Sequence, residues 1–318
     1  MNEKDKKVLG ISAIAIVAVL FVFGIKLISL FVNGSSDTGR RIRNTVQETT
    51  ETSRLHKKKG TVVYETLNTG EDLDFPEDQY PYRAMLSEEE KTVYNQLYAN
   101  IVAHNNDFEL VNPISSLSVD DVISAVLYDH PELFWYTGHS EYIAMPNSGA
   151  VIDMSIEFLE FDDFDAAKAE FDSNLQKIVE AARTKGDPYS MELYVHDTLA
   201  KKTTYDSNNP MNQTAYSAIV QGRSVCAGYS KAFQLVMHEL GIPCYYITGK
   251  IEGSNHAWNI VRINGDFYNV DVLWDDNLVL THKYFNITDE RIYADHERDS
   301  IAKELPACDA EEFKYKAG

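Results

Sequence analysis

The sequence predicts an α+β fold: a larger C-terminal domain of helices and strands, preceded by a smaller α/β region and an N-terminal transmembrane helix. Three observations lead there. Residues 8–32 are apolar apart from Ser12, Ser29 and Lys26, long enough at ~1.5 Å per residue to cross a ~30 Å hydrocarbon core. Several stretches between residues 88 and 240 repeat apolar residues at helical spacing. Two β-type runs flank Asn264-Gly265, a strong hairpin signal.

The apolar segment is read as a retained anchor, because it exceeds the ~7 to 15 residues usual for a cleavable signal and no Ala-x-Ala site closes it. Lys4, Lys6 and Lys7 before the span are matched by Arg40, Arg41 and Arg43 after it, so the positive-inside count is a tie. A seven-residue head before the span is the layout of a signal anchor, and residues 1–7 are expected in the cytoplasm with the rest of the chain outside. Residues 33–60 combine Gly-Ser-Ser with scattered Thr, Glu, Arg and Lys and few large apolar residues, the composition of a disordered stalk. The N-terminal α/β region then covers 61–185 and the C-terminal domain 186–318.

Ser87-Glu88-Glu89-Glu90 has capping-box spacing, and Val93, Leu97, Ile101 and Val102 follow on one face, predicting a helix over 88–104. Ser118 and Asp121 open a second helix carrying Val122, Ile123, Val126 and Leu127, which stops before Pro131. Leu133-Phe134-Trp135-Tyr136 and residues 151–161 are expected as strands. Residues 163–183 form a third amphipathic helix. No residue in 61–185 carries an evident chemical motif. Beyond Gly186-Asp187-Pro188 a helix is predicted over 189–200, then a polar turn near 205–210. The remainder alternates helix and strand without a fixed repeat.

Residues 61–318 hold 18 Lys+Arg against 44 Asp+Glu, a net of about −26. Nucleic acid is excluded as a partner on this ground, since phosphate neutralisation needs a basic surface. Three cysteines make neither a disulfide scaffold nor a metal-ligand spacing, and no metal or other cofactor is called for. Cys244 is expected as a buried thiol and Cys308 as one near the surface. A Cys244–Cys308 bridge is the alternative, possible outside the cytoplasm.

Cys226 asks for a different account. Downstream, Tyr229, Ala232, Phe233, Val236, Met237 and Leu240 share one helical face. Ser224 is the expected N-cap, and Gly241 and Pro243 supply the stop. Cys226 then sits in the first turn, where unpaired N–H groups and the positive end of the macrodipole favour a thiolate. A lone cysteine is as often a small buried hydrophobe. The hairpin decides between the two. If Asn264 and Gly265 form a two-residue turn, Ile263 pairs with Asp266 and the ladder brings His256 opposite Leu273. Asp271 is then a diagonal neighbour on the same face, ~7 to 8 Å away at the backbone, within reach of a carboxylate–imidazole hydrogen bond. A three-residue loop would put Asp271 on the opposite face. A carboxylate on one ring nitrogen leaves the other free to take the thiol proton, so nucleophile, base and orienter occur as Cys226, His256 and Asp271. His196, on a predicted helix, is read as structural. Asp275 and Asp276 lack the register of Asp271.

Ala215-Tyr216-Ser217, Gly222-Arg-Ser-Val-Cys226-Ala-Gly-Tyr229-Ser-Lys-Ala-Phe233, His256-Ala-Trp-Asn259 and Val270-Asp271-Val-Leu-Trp274-Asp275 resemble the transglutaminase-like superfamily, particularly its bacterial members. The resemblance covers roughly 190–290, and it implies a papain-like core: the cysteine opening a helix packed on an antiparallel sheet, with histidine and aspartate on adjacent strands. A short match at Val126-Leu-Tyr-Asp-His-Pro131 and Phe134-Trp135 is similar to the helical region that precedes this core. The Cys226 N–H is a natural oxyanion donor. Tyr216 is the candidate for a second donor by its place in the motif, and Trp258 and Trp274 fall near the site as core or substrate-wall residues. A thiolate so placed transfers an acyl group from a peptide or isopeptide amide to water, as in a cysteine protease, or to an amine, as in a transglutaminase. No calcium loop like that of the animal transglutaminases is visible, and hydrolysis is the expectation, on a protein or peptide substrate of the cell surface or cell wall. A surface-attached binding module that keeps the fold without turnover is the rival from another class.

Overall fold

Ser87 and Glu90 close the capping box at the start of a 15-residue helix, the Ser87 hydroxyl accepting from the Glu90 N–H and the Glu90 carboxylate from the Ser87 N–H. The computed structural model describes residues 68–316. The expected head, anchor and stalk lie outside the described residues. Among the residues described, no helix is long and apolar enough to cross a membrane.

In chain order the elements are α1 (Pro81–Ala84), α2 (Glu88–Val102), β1 (Asp107–Ser115), α3 (Val119–Asp129), β2 (Tyr136–Ala144), β3 (Ala150–Phe158), α4 (Phe164–Arg183), α5 (Pro188–Lys202), β4 (Thr204–Tyr205), α6 (Ala215–Ile219), β5 (Arg223–Ser224), α7 (Cys226–Glu239), β6 (Cys244–Ile251), β7 (Ser254–Ile263), β8 (Asp266–Val270), α8 (Val272–Asp275), α9 (Asp289–Ile292) and β9 (His296–Arg298). Helices and antiparallel sheets are mixed, as the composition of the segments predicts. The first sheet has the order β1-β3-β2 and the second β8-β7-β6-β9, every pair in both being antiparallel. Two residues each of β4 and β5 form a small parallel pair.

Two strand expectations change. Leu133, Phe134 and Trp135 form a buried turn, and β2 begins only at Tyr136. The Trp135 indole donates to Ile101 O at 3.1 Å, so this apolar run is spent on capping α2 rather than on a ladder. β1 was not foreseen. Its Asp, Glu and Asn residues blur the alternation, and Pro113 falls where the register shifts between Glu109 and Ile114. Proline is tolerated there because β1 is an edge strand.

The apolar side chains of the first sheet, the helices around it and the second sheet form one continuous buried cluster. Polar bonds cross it as well: Gln234 of α7 donates to Tyr128 O at 2.8 Å and the Tyr82 hydroxyl to Tyr246 O at 2.5 Å. The N-terminal elements thus back the helix and the sheet that carry the site.

Candidate active site

Cys226 is the first residue of α7, with Val225 as an extended N-cap that provides no side-chain hydrogen bond. The expected cap, Ser224, is buried and engaged elsewhere, its hydroxyl 2.6 Å from that of Ser217 and donating to Asn212 O at 2.8 Å. These bonds tie β5 to α6. They also press both against the first turn of α7, where a Cβ on Gly228 would lie 1.9 Å from the Ser224 hydroxyl and 2.7 Å from Thr214 O. Only glycine permits this approach, and the approach fixes the helix start that presents Cys226. From the other side the Ser230 hydroxyl lies 2.9 Å from Cys226 O and 3.0 Å from Ala257 O, and Asn259 Nδ2 donates to Ser230 O at 3.1 Å. Cys226 is thereby locked beside β7, one strand position from His256.

The hairpin has the two-residue turn. Ile263 pairs with Asp266 and the ladder runs back to Asn259 opposite Val270. Asn264 and Gly265 both have positive φ, 52° and 101°, as a turn matching the twist of the strands demands. β8 ends at Val270, so Leu273 lies in α8 rather than opposite His256. Asp271 becomes the N-cap of α8, its Oδ1 accepting from the Trp274 N–H at 3.1 Å. Its Oδ2 stands 2.5 Å from His256 Nε2.

The His256 imidazole meets the Cys226 thiol as well as Asp271. Burial by itself would lower its pKa. The Asp271 charge and hydrogen bond, followed by the contact with Cys226, outweigh this and raise it to about 10. Burial in turn would raise the Asp271 carboxyl, but His256 and then a second histidine hold it well below the usual carboxylate range. At neutral pH the pair is therefore imidazolium and carboxylate. Cys226 is the partly exposed member of the group, whereas His256 and Asp271 are buried.

The second histidine is His296 of β9, which the sequence reading missed. Its Nε2 lies 3.1 Å from the same Asp271 Oδ2, and its Nδ1 lies 2.5 Å from Asp295 Oδ1. Asp295 accepts from the Tyr284 hydroxyl at 2.7 Å. A short run with a histidine between two acids, Asp295-His296-Glu297, was the only trace in the sequence, and nothing local connects it with a carboxylate 25 residues upstream.

Trp258 has no exposed surface and its Nε1–H goes to Asn269 Oδ1 at 3.2 Å. It floors the site beneath His256, the rings 6.1 Å apart and nearly parallel, and is not a substrate wall in this conformation. Gly249 of β6 makes room for it, since a Cβ there would lie 2.6 Å from the indole and 2.1 Å from Glu297 O. The Tyr216 ring packs against Phe134 at 4.8 Å and near Phe161 and Phe171, so packing is the role its surroundings support. Asp275 and Asp276 stand apart from His256. Asp275 accepts from the Lys283 N–H at 2.8 Å and the Thr281 hydroxyl at 2.6 Å, and Asp276 from the Tyr229 hydroxyl at 2.7 Å.

Among the described residues, two groups of donors are close enough to hold a metal ion, His256, Asp271 and His296, and separately His196, Asp197 and His282. In both, the imidazoles already face carboxylate oxygens, and ion pairing accounts for the arrangement. His196 is fully buried with its two ring nitrogens 3.2 Å from Asp197 and 3.3 Å from Asp275, and His282 sits 2.7 Å from Asp197.

Cys244, Cys226 and Cys308 are all free. Cys308 is buried rather than near the surface. Its backbone exchanges hydrogen bonds with Asp289 and its sulfur accepts from Arg298 at 3.7 Å, which pins the tail without a bridge. Burial pushes the thiols of both Cys244 and Cys308 far up.

Residues 176–272 match the family model of the transglutaminase-like superfamily. This segment is transglutaminase-like. It contains Cys226, His256 and Asp271, with His296 beyond its end. At the level of the superfamily the match supports a thiol-dependent enzyme. No curated protein matches the chain. Among solved structures, a TGase aligns with 42% of this chain and 43% of its own at 17% identity and a TM-score of 0.33. A proposed cysteine protease from Cytophaga hutchinsonii aligns with 42% of this chain and 61% of its own at 16% identity and a TM-score of 0.28. The chain thus spans less than two thirds of either.

Proposed function

We propose that the protein is a thiol-dependent acyl-transfer enzyme that hydrolyses peptide or isopeptide amides, with Cys226 as nucleophile, His256 as acid and base, and Asp271 as orienter. The observation that carries this reading is a single imidazole held between a thiol and a buried carboxylate at the start of a helix. With the thiol proton carried by His256, Cys226 Sγ attacks the amide carbonyl carbon, forming a C–S bond. The oxygen takes the negative charge beside the Cys226 N–H. His256 gives its proton to the leaving nitrogen as the C–N bond breaks, leaving a thioester. Water, which reaches the site through the exposed side of Cys226, then adds to the thioester carbon and yields its proton to His256. Collapse expels Sγ and releases a carboxylic acid.

An amine in place of that water would give a new amide, the transglutaminase outcome. A peptide library incubated with the enzyme, with and without added amine, separates the two by product mass. Acid products that persist when amine is present support hydrolysis, and amine adducts at the expense of acid overturn it. The acidic exterior and the expected anchor over residues 8–32 fit a catalytic domain outside the cytoplasm, working on proteins or peptides of the cell surface or wall. Protease treatment of whole cells tests that placement: release of a soluble fragment beginning near residue 60 supports it, and digestion only after lysis refutes it.

A further inference from the structure

His296 lies outside the transglutaminase-like segment yet touches the carboxylate at its centre. Asp271 Oδ2 is shared by His256 on β7 and His296 on β9, while Oδ1 is taken by the Trp274 N–H of α8. No freedom is left to that carboxylate. The His296 ring is itself held on every side. Asp295 grips Nδ1 and is fixed in turn by the Tyr284 hydroxyl. The rings of His256, Trp258, Trp274 and Tyr284 stand 4.8 to 5.6 Å from it. Both ring nitrogens face carboxylate oxygens. Asp295, His296, Asp271 and His256 thus form a row in which acids and imidazoles alternate, part-exposed at Asp295 and ending at the Cys226 sulfur.

We infer that His296 is a positioning residue of the site: it holds the same Asp271 Oδ2 that orients His256, so that the functional unit is Cys226, His256, Asp271 and His296 with Asp295 as its outer anchor. Here the second imidazole competes for the same oxygen that orients His256, which ties its presence to the charge balance at the thiol. The inference rests on the reading of Cys226, His256 and Asp271 as the reacting groups.

The test is the rate of Cys226 alkylation by iodoacetamide between pH 4 and 10, followed by peptide mapping in the full-length chain and in its His296→Ala, His296→Gln and Asp295→Asn variants. His296 helps to hold the Asp271 carboxyl low, so its removal makes that carboxylate, and with it the orientation of His256, easier to lose to protonation. The acid limb of the profile should therefore move up by about one pH unit in His296→Ala and by less in His296→Gln. The rate at pH 6 should drop about tenfold in His296→Ala and recover in part in His296→Gln, whose amide can still donate to Asp271. Asp295→Asn should move the limb the same way by less, and it carries the test if the His296 variants fail to fold by circular dichroism. Profiles that superimpose on that of the unchanged chain, in folded variants, overturn the role of His296. If Cys226 in the unchanged chain reacts no faster than Cys244 and Cys308, the thiol-enzyme reading itself fails, whatever the variants do.

Discussion

Asp271→Asn keeps the shape of the side chain and removes its charge. The rise of His256 from its ordinary 6.5 to about 10 corresponds to roughly 5 kcal/mol at about 1.4 kcal/mol per pH unit. Asp271 is foremost among the groups that raise it, so roughly 3 kcal/mol belongs to this pair, in line with the ~3 to 5 kcal/mol lost when one partner of a buried pair is removed. The sign follows from linkage. His256 is raised, so its contribution is complete below pH 6.5 and is lost as pH climbs through about 10. Asp271 is lowered, so its contribution is complete above its ordinary 3.8 and is lost as pH falls. Urea unfolding followed by circular dichroism should thus find Asp271→Asn less stable by about 3 kcal/mol between pH 4 and 6.5, and by under about 1 kcal/mol at pH 10. Alkylation of Cys226 at pH 6 should slow by at least about a hundredfold, since His256 loses the carboxylate that orients it against the Cys226 sulfur. A stability difference that stays constant from pH 5.5 to 10 would refute the reasoning.

Thiol titration of the unfolded, unreduced protein should count three free cysteines, and a count of one would mean that Cys244 and Cys308 pair after all. Gly249→Ala should force Trp258 and β9 apart and cost about 1 to 3 kcal/mol, with a change in tryptophan fluorescence, and an unchanged melt and spectrum would show that the contact is relieved elsewhere. Tyr216→Phe should leave the rate of acyl-probe capture within about twofold if packing is its role, and a loss of about a hundredfold would restore it as an oxyanion donor.

The hairpin was the most legible part of the site because its turn chemistry is local. Asn264 and Gly265 accept positive φ and set the register as far as Val270, and Asp271, one residue beyond the ladder as the N-cap of α8, reaches His256 from there. The capping box at Ser87 was legible for the same reason. Ser224 misled because a serine before a helix usually caps it, whereas here Gly228 lets β5 approach so closely that the hydroxyl is taken by Ser217 and Asn212. His296 could not be read from sequence, since its strand of three residues gains its meaning only by pairing with β6, Ile251 opposite His296. Trp258 was ambiguous between core and wall. Its burial depends on the missing side chain of Gly249, a neighbour across the ladder rather than along the chain.

The central claim is that Cys226 is the nucleophile, and covalent capture tests it most directly. An electrophilic acyl probe added to the full-length protein at pH 6 should give one adduct by intact mass, mapped to Cys226. The adduct should be absent from Cys226→Ala, whose helix start tolerates alanine and whose circular dichroism should be unchanged. Undiminished capture by that variant would contradict the account.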